Sequence, residues 1–513
     1  MNLLTLFAIG RERRPDKTAI EFKDTRGPLG AQELTFSGLQ REVERWAAAF
    51  ARMGVQKGDR VGLYLCNRPE FVIAYLATLE VGAIMVPINL RYRRRELSHI
   101  LNDAEPALLI IEDEHWPVLD EIVGIEIGPG LTVLSVDRSE SWLEEADGKE
   151  WTSASRPLTR GEETALIMYT SGTTGASKGA VLTHNHVLAT VTGLLSAWAW
   201  QADDVLLLPL PLFHTHGLVV GLHCALAMGA TVRLRTGFDA TETVKTLSSG
   251  GATLFFAVPT IYTRLVDFLA EAEEAPSFAA MRLFCSGSAP LPAEIHNAFE
   301  RLTGKRILER YGMTETGMNF SNPYAGPRVA GTVGTPLPGV FARIVDAAGQ
   351  DLPAGEEGEL LLRGSNVFDE YWRAPQKTAE SFVRDELGNR WFLTGDLARM
   401  DPLSGYVTLL GRRHELIISG GLNIYPREVE EMLTTFPGIE EAAVVGEPDA
   451  EWGEAPVAYL VCSCEIDEVD LERYCRGQLA SYKLPRRLRF VGALPRNAMG
   501  KVQKHLLPRG GVE

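Results

Sequence analysis

The stretch YTSGTTGASKG, from Tyr169 to Gly179, gathers Thr170, Ser171, Thr173 and Thr174 around Gly172 and Gly175, then adds Lys178 and Gly179. Glycines open backbone conformations that other residues resist. Hydroxyls, backbone amides and an ammonium group together make a cradle for a polyphosphate. Three plainer readings compete: a Walker loop, an ordinary turn and a solvated linker. A Walker loop needs Gly directly before its Lys and Ser or Thr directly after it, whereas Ser177 and Gly179 stand in those places. A linker explains the composition but not the setting. The apolar run Ala165 to Met168 reads as a buried strand just ahead, and Ala180 to Thr190 reads as the start of a helix. The loop is therefore expected at a strand end.

Further along, Asp204 to Gly217, DVLLLPLPLFHTHG, reads as an apolar strand ending in His214 and His216. No Cys, Asp or Glu stands close by to complete a metal set, so a pocket wall is the preferred reading, and neither histidine has a nucleophilic Ser partner. In VPTIYTRLVDFL, Ile261, Leu265 and Phe268 form an apolar stripe with Arg264 on the same side at helical spacing. A charge there needs an anion, and guanidinium offers a carboxylate two parallel donors, although an internal ion pair or a snorkelling stem explains the spacing equally well. The small-residue turn in MRLFCSGSAPL, with Gly287 and Ser288, would let a flat ring approach the backbone. In LERYGMTET, Tyr311 offers a stacking face, Thr314 a hydroxyl and Glu315 an oxygen for a magnesium ion. Asp396 in WFLTGD suits ribose hydroxyls. Lys501 in PRNAMGKV follows Gly500 on an exposed turn, where a solvated lysine is the plain alternative.

These residues need a frame. Apolar spacing predicts a helix over Leu34 to Met53, a turn and strand over Val55 to Leu65, a helix over Phe71 to Val81 and a strand over Ala83 to Pro87. Alternation of this kind continues to Ile111 and implies crossover connections and parallel sheets covered on both faces. The fold class expected is α/β: a large N-terminal domain of layered, mostly parallel sheets with helices, and a small α+β C-terminal lid. The charged run Arg413 to Glu415 before the strand Leu416 to Ser419 sets the boundary, giving domains 1–411 and 412–513. The second should hold two or three strands and two helices, one of them Pro426 to Phe436.

A chain of 513 residues is too long for one compact core. Its formal net charge of -16 denies it the basic surface that nucleic acid or an anionic membrane demands, so any anion it binds must meet a local cationic pocket. No transmembrane span is expected. The apolar segment of MNLLTLFAIGRERRPDK is too short, and lacks a charged region ahead of it, for a signal peptide. The six cysteines show no paired metal spacing, which favours reduced thiols and a cytoplasmic location.

In order along the chain, YTSGTTGASKG, PLFHTHG, SGSAPL, YGMTET, FLTGD, GRRHELI, SGGLNIYP and PRNAMGK resemble the adenylate-forming superfamily of acyl-CoA synthetases, luciferases and adenylation domains. Within it, ERYGMTETGMNFSNPY, PRNAMGKVQK and Arg264 are most similar to malonyl-CoA synthetases. The resemblance implies an ATP-dependent acid–thiol ligase that makes malonyl-CoA, or methylmalonyl-CoA, through an acyl-adenylate, releasing AMP and pyrophosphate. ATP, Mg2+ and CoA are the implied cofactor and co-substrates. By the same resemblance the loop grips the β- and γ-phosphates, Glu315 holds magnesium and Thr314 touches the α-phosphate. Tyr311, Gly287 and Ser288 hold adenine, and Asp396 and Arg412 hold the ribose side. Lys501 bridges carboxylate and phosphate. Gly420 and Gly421 line a pantetheine tunnel gated by His214.

An unreacted second carboxylate needs a partner, and Arg264 and Arg310 are the candidates, Arg310 standing where many monocarboxylate enzymes carry glycine. Two departures accompany the match: Ser177 replaces a common proline, and His414 stands where Asp or Lys usually serves as hinge. A short monocarboxylate CoA ligase, a stand-alone adenylation protein that loads a carrier, and a non-catalytic nucleotide-binding module are the other readings.

Overall fold

The structure is a computed structural model of the chain. It describes all residues except 25–26, 28, 123–129, 145–150, 152–154, 171–176, 274–275, 420–421, 450–451, 480, 498–499 and 509–513. The predicted alternation is present as helix Phe36–Arg52, strand Arg60–Tyr64, helix Pro69–Glu80, strand Ile84–Pro87, helix Arg94–Ala104 and strand Leu108–Ile111. Thr35 opens the first of these helices, its side chain accepting from the Gly38 amide. The three strands pair in parallel, Val61 opposite both Met85 and Leu108. Strands Ile84–Pro87 and Leu108–Ile111 are buried at every residue, as continuous apolar runs between covering layers should be.

Strand Thr164–Thr170 joins this sheet beside Ile84–Pro87. The next element differs from expectation. Lys178–Thr183 is a strand antiparallel to Thr164–Thr170, with Tyr169 opposite Gly179 and Thr170 opposite Lys178. The helix begins only at His184 and runs to Ala197, with Thr183 as its cap. Gly179 to Thr183 are all buried, so the short apolar run carried no periodicity that could separate strand from helix. The Thr/Gly stretch thus joins two antiparallel strands.

A second sheet of nine strands sets Leu283–Ser286 between Leu254–Ala257 and Ile307–Met313, all parallel. Helix Pro259–Ala270 follows strand Leu254–Ala257 with Pro259 in its first turn. The strand expected from Asp204 to Gly217 is shorter, Val205–Leu208, because Pro209 and Pro211 cannot donate to a ladder. Beyond it, His216–His223 is a π-helical stretch.

Contacts divide the chain into two compact units. One comprises Met1–Ala330, Thr335–Phe341 and Leu362–Phe392; the other comprises Gly331–Gly334, Ala342–Leu361 and Leu393–Glu513. The second unit is wider than the expected 412–513. Antiparallel pairing of Asp396 with Arg412 and of Met400 with Val407 keeps residues 393–411 with the C-terminal segment. Among the described residues its later part has five strands where two or three were expected; Ile417–Ser419 is the strand read from sequence at Leu416 to Ser419, and Leu422–Ile424, only three residues long, is an additional one. Its two α-helices are Pro426–Leu433 and Glu468–Gln478, and Ile424, Val429, Leu433, Val444, Leu460 and Leu471 build a core there. No helix among the described residues is long and apolar enough to cross a membrane.

Candidate active site

In the first unit, strand Ile307–Met313 brings Arg310 inside the protein, with only 3% of its surface exposed. Its guanidinium lies against Gly287, and burial lowers its pKa. Cys285 is the hydrogen-bonding neighbour, while Nε and Nη2 have no partner among the described residues. Other buried polar atoms in this unit also lack one: Ser286 Oγ, His214 Nε2 and His216 Nε2. His216 Nδ1 lies 3.2 Å from Ser288 Oγ, and Ser288 adopts a left-handed φ of 72°, a strained geometry for a residue with a Cβ. Burial drives the pKa of His216 well down and the Arg310 charge adds to the effect, while burial takes His214 to about 4, so both rings are neutral at pH 7. Unpaired buried donors of this kind cost several kcal/mol unless an acceptor meets them, and for a guanidinium the fitting acceptor is an anion.

Arg264 has a different setting. Ile261, Tyr262, Leu265 and Leu269 form the buried side of helix Pro259–Ala270, Phe268 is half-buried, and Arg264 is exposed. The predicted core-facing position is corrected: Arg264 sits off the edge of the stripe, and no burial cost demands an anion there.

Strand Ile307–Met313 turns back into Gly317–Ser321 through Thr314, Glu315 and Thr316. Thr314 is half-buried at this tip. Glu315 is buried, and Oε1 accepts from the Tyr371 hydroxyl at 3.0 Å and from Thr170 Oγ1 at 3.4 Å. Lys178 Nζ sits 5.9 Å from the centre of the Tyr371 ring, and burial lowers its pKa. A carboxylate beside hydroxyls is a hard oxygen set that suits magnesium. Tyr311 is buried with its ring 6.1 Å from that of Phe320. Ser171, Gly172, Thr173, Thr174 and Gly175, and likewise Gly420 and Gly421, lie outside the described residues. The flanks of the Thr/Gly stretch are described. His99 Nε2 donates to the Ser177 carbonyl at 2.7 Å, and Tyr169 donates to Asp103 Oδ2 at 2.5 Å.

In the second unit, Arg412 Nε meets Asp396 Oδ1 at 2.8 Å, and Arg412 Nη1 donates to the Thr394 carbonyl at 2.9 Å. Lys501 closes a turn whose ends are tied by Lys501 N to Asn497 Oδ1 at 3.0 Å and Asn497 N to the Lys501 carbonyl at 2.9 Å, with Gly500 at φ 76°. Lys501 is itself exposed; desolvation by neighbouring protein lowers its pKa, as does the Arg412 charge, while Glu415 and Asp396 oppose the shift. His414 is exposed, 3.9 Å from Glu415.

The AMP-binding enzyme family matches residues 7–372, and its C-terminal domain matches residues 428–501. This chain belongs to the AMP-binding enzyme family. A mitochondrial malonate–CoA ligase of Bos taurus is 36% identical over 498 residues, covering 89% of this chain and 82% of that protein. A sulfoacetate–CoA ligase of Cupriavidus necator is 34% identical, covering 98% and 96%. The crystal structure of ATP-bound MatB from Rhodopseudomonas palustris aligns with a TM-score of 0.89 at 38% identity, covering 99% of this chain and 98% of that one. Two groups around this enzyme's candidate site, Tyr371 and His99, are not evident from sequence reasoning, whereas His216 is read there with His214 as a pocket wall. Tyr371 and His99 lie in segments whose only signal is tertiary.

Proposed function

We propose that this AMP-binding enzyme is a malonate–CoA ligase, also accepting methylmalonate, with ATP and CoA as its other substrates. Malonate's carboxylate attacks the α-phosphorus of ATP, giving malonyl-AMP and pyrophosphate. The CoA thiol then forms the thioester, releasing AMP and a proton. A carboxylate is already ionised at neutral pH, so the first step needs no base. Its barrier is the meeting of two anions, and cationic and dipolar groups should carry it.

In this reading Lys501 bridges carboxylate and α-phosphate, Thr314 supports that phosphate, and Glu315 holds magnesium, which would neutralise phosphate charge. Thr170 through Gly175 and Lys178 hold the outer phosphates, Tyr311, Gly287 and Ser288 the adenine, and Asp396 and Arg412 the ribose side. Residues 412–513 act as the lid for the second step, with Gly420 and Gly421 along the pantetheine path and His214 at its mouth.

The observation that carries the choice of acid is Arg310: a buried guanidinium with two nitrogens unpartnered among the described residues calls for an anionic group beyond the reacting carboxylate. Arg264, being exposed, serves at most as a secondary contact for the acid. The Cupriavidus relative's sulfoacetate also bears a second anion, so a short sulfonate is the second reading. The test is a panel of malonate, methylmalonate, sulfoacetate, acetate and butyrate with ATP, with and without CoA, reading pyrophosphate and thioester together. Malonate should give both products. Arg310→Met should lower kcat/KM for malonate by about 100- to 1000-fold, the equivalent of breaking a buried ion pair, while sparing acetate. Equal turnover of acetate and malonate by the unaltered enzyme would reject the reading.

A further inference from the structure

We propose that Tyr371 is a positioning residue for Glu315, its hydroxyl engaging one carboxylate oxygen so that the other is presented to magnesium. The inference rests on the reading of Glu315 as the magnesium-holding group. Two hydroxyls, those of Tyr371 and Thr170, converge on the same oxygen, Oε1, at 3.0 and 3.4 Å. A carboxylate on a hairpin tip has three side-chain torsions to settle, and donors on one oxygen fix the plane and direction of the other.

Tyr371 is itself held from several sides. Its amide donates to Thr378 Oγ1 at 2.9 Å, and it pairs with Ala180 across an antiparallel bridge. Its neighbours Glu370 and Trp372 bond to the backbone of Val181 and Gly179 at 3.1 and 2.7 Å. Two residues before Glu370, Phe368 donates its amide to the Glu315 carbonyl at 2.8 Å, and its ring packs edge-on at 4.8 Å against that of Tyr371. The segment 368–372 is thus stitched to the strand carrying Lys178 on one side and to Glu315 on the other. One phenol meets the carboxylate through its hydroxyl and Lys178 across its ring face, joining the anionic and cationic groups expected at the phosphates.

Hydrogen-bond partners of a metal-binding carboxylate typically account for 10- to 100-fold in metal affinity. Tyr371→Phe removes only the hydroxyl. The Mg2+ concentration for half-maximal pyrophosphate release should rise about 10-fold. Binding of Mn2+ in the presence of ATP, followed by electron paramagnetic resonance, should weaken in parallel, with KM for malonate unchanged and the rate restored by excess Mg2+. Thr378→Val, which loosens the Tyr371 backbone, should shift the same two readouts less, and it carries the test should Tyr371→Phe not fold. Glu315→Gln separates the role of Tyr371 from that of the carboxylate it contacts. If it leaves Mg2+ dependence and Mn2+ binding unchanged, the magnesium reading fails and this inference fails with it. If it shifts both while Tyr371→Phe shifts neither, or if Tyr371→Phe lowers all parameters together, Tyr371 is a structural residue only.

Discussion

Gly287 and Arg310 touch so closely that a Cβ on Gly287 would stand 2.4 Å from Arg310 Cζ. The turn read as an adenine platform is therefore also the floor under the guanidinium proposed to select the acid. Gly287→Ala must displace the guanidinium end of a buried side chain, and overpacking of this kind costs about 1–3 kcal/mol. The expected outcome is a rise of about 10-fold in KM for malonate with a smaller change for ATP. Steady-state kinetics with each substrate varied in turn checks it, and a defect confined to ATP would mean that the guanidinium had simply moved aside.

His184, His216 and His223 are buried, and burial holds them neutral, His184 at about 4 and His223 at about 3. His223 Nε2 shares a hydrogen bond with the Tyr75 hydroxyl at 2.6 Å, and His184 accepts at Nδ1 from the Leu3 amide at 3.2 Å. Their folded pKa values lie below the unfolded value of about 6.5, so between the two the unfolded chain binds protons that the folded one refuses. Stability from these groups is complete above about pH 6.5 and falls as pH drops towards the folded values, by up to about 1.4 kcal/mol per pH unit for each ring. Denaturant midpoints should fall steeply from about pH 6.5 to about pH 4.5. His223→Gln, which keeps a hydrogen-bond partner for Tyr75 but cannot be protonated, should flatten that slope by one proton. An unchanged slope would show that His223 is protonated in the folded state.

The parts of the site readable from sequence were those where chemistry and local order coincide. Lys501 after Gly500 and Glu315 at the end of YGMTE sit on turns whose residue types already dictate the geometry, while Asp396 after Gly395 lies within strand Arg390–Met400. The Asp396–Arg412 pair was legible as two separate residues, and only the antiparallel register makes it a pair. Tertiary contact set the rest. Ala180 to Leu182 pack as a strand because both faces are covered, a fact absent from a short run of apolar letters. Arg264 shared a spacing with Ile261 and Phe268, but the stripe is centred on Tyr262 and Leu265, which leaves the arginine outside. Tyr371 reaches Glu315 across 56 residues, and no periodicity carries that distance.

Lys501 stands on a turn clasped by Asn497, with Arg412, Glu415, Asp396 and Lys504 setting its electrostatics. If its charge is needed only where carboxylate meets phosphate, Lys501→Ala should reduce malonate-dependent exchange of pyrophosphate into ATP by at least about 100-fold, in keeping with the loss of one group aimed at developing charge. Thioester formation from supplied malonyl-adenylate and CoA should continue at near the normal rate. Measuring the two half-reactions separately decides the matter, since equal loss in both would place Lys501 in a general structural role.

Helix Arg94–Ala104 touches both shoulders of the Thr/Gly stretch. His99 and Asp103 lie four residues apart on one face, His99 bonding to the Ser177 carbonyl and Asp103 accepting from the Tyr169 hydroxyl. Asp103 also offers its backbone carbonyl to Trp372 Nε1 at 3.0 Å, which ties the same helix to the segment holding Glu315. By resemblance Ser177 stands where a proline is common, and proline would restrict the backbone there more than serine does, so the His99 bond to the Ser177 carbonyl is read as a substitute restraint. His99→Ala should therefore raise KM for ATP about fivefold, as expected for one net hydrogen bond of about 1 kcal/mol, and leave KM for malonate and CoA unchanged. His99→Gln, which retains a donor of similar reach, should recover most of the loss. Pairing His99→Ala with Ser177→Pro supplies the decisive comparison: if restricted backbone freedom is what His99 provides, the proline should restore ATP affinity without the histidine, and a double variant no better than His99→Ala would reject that account.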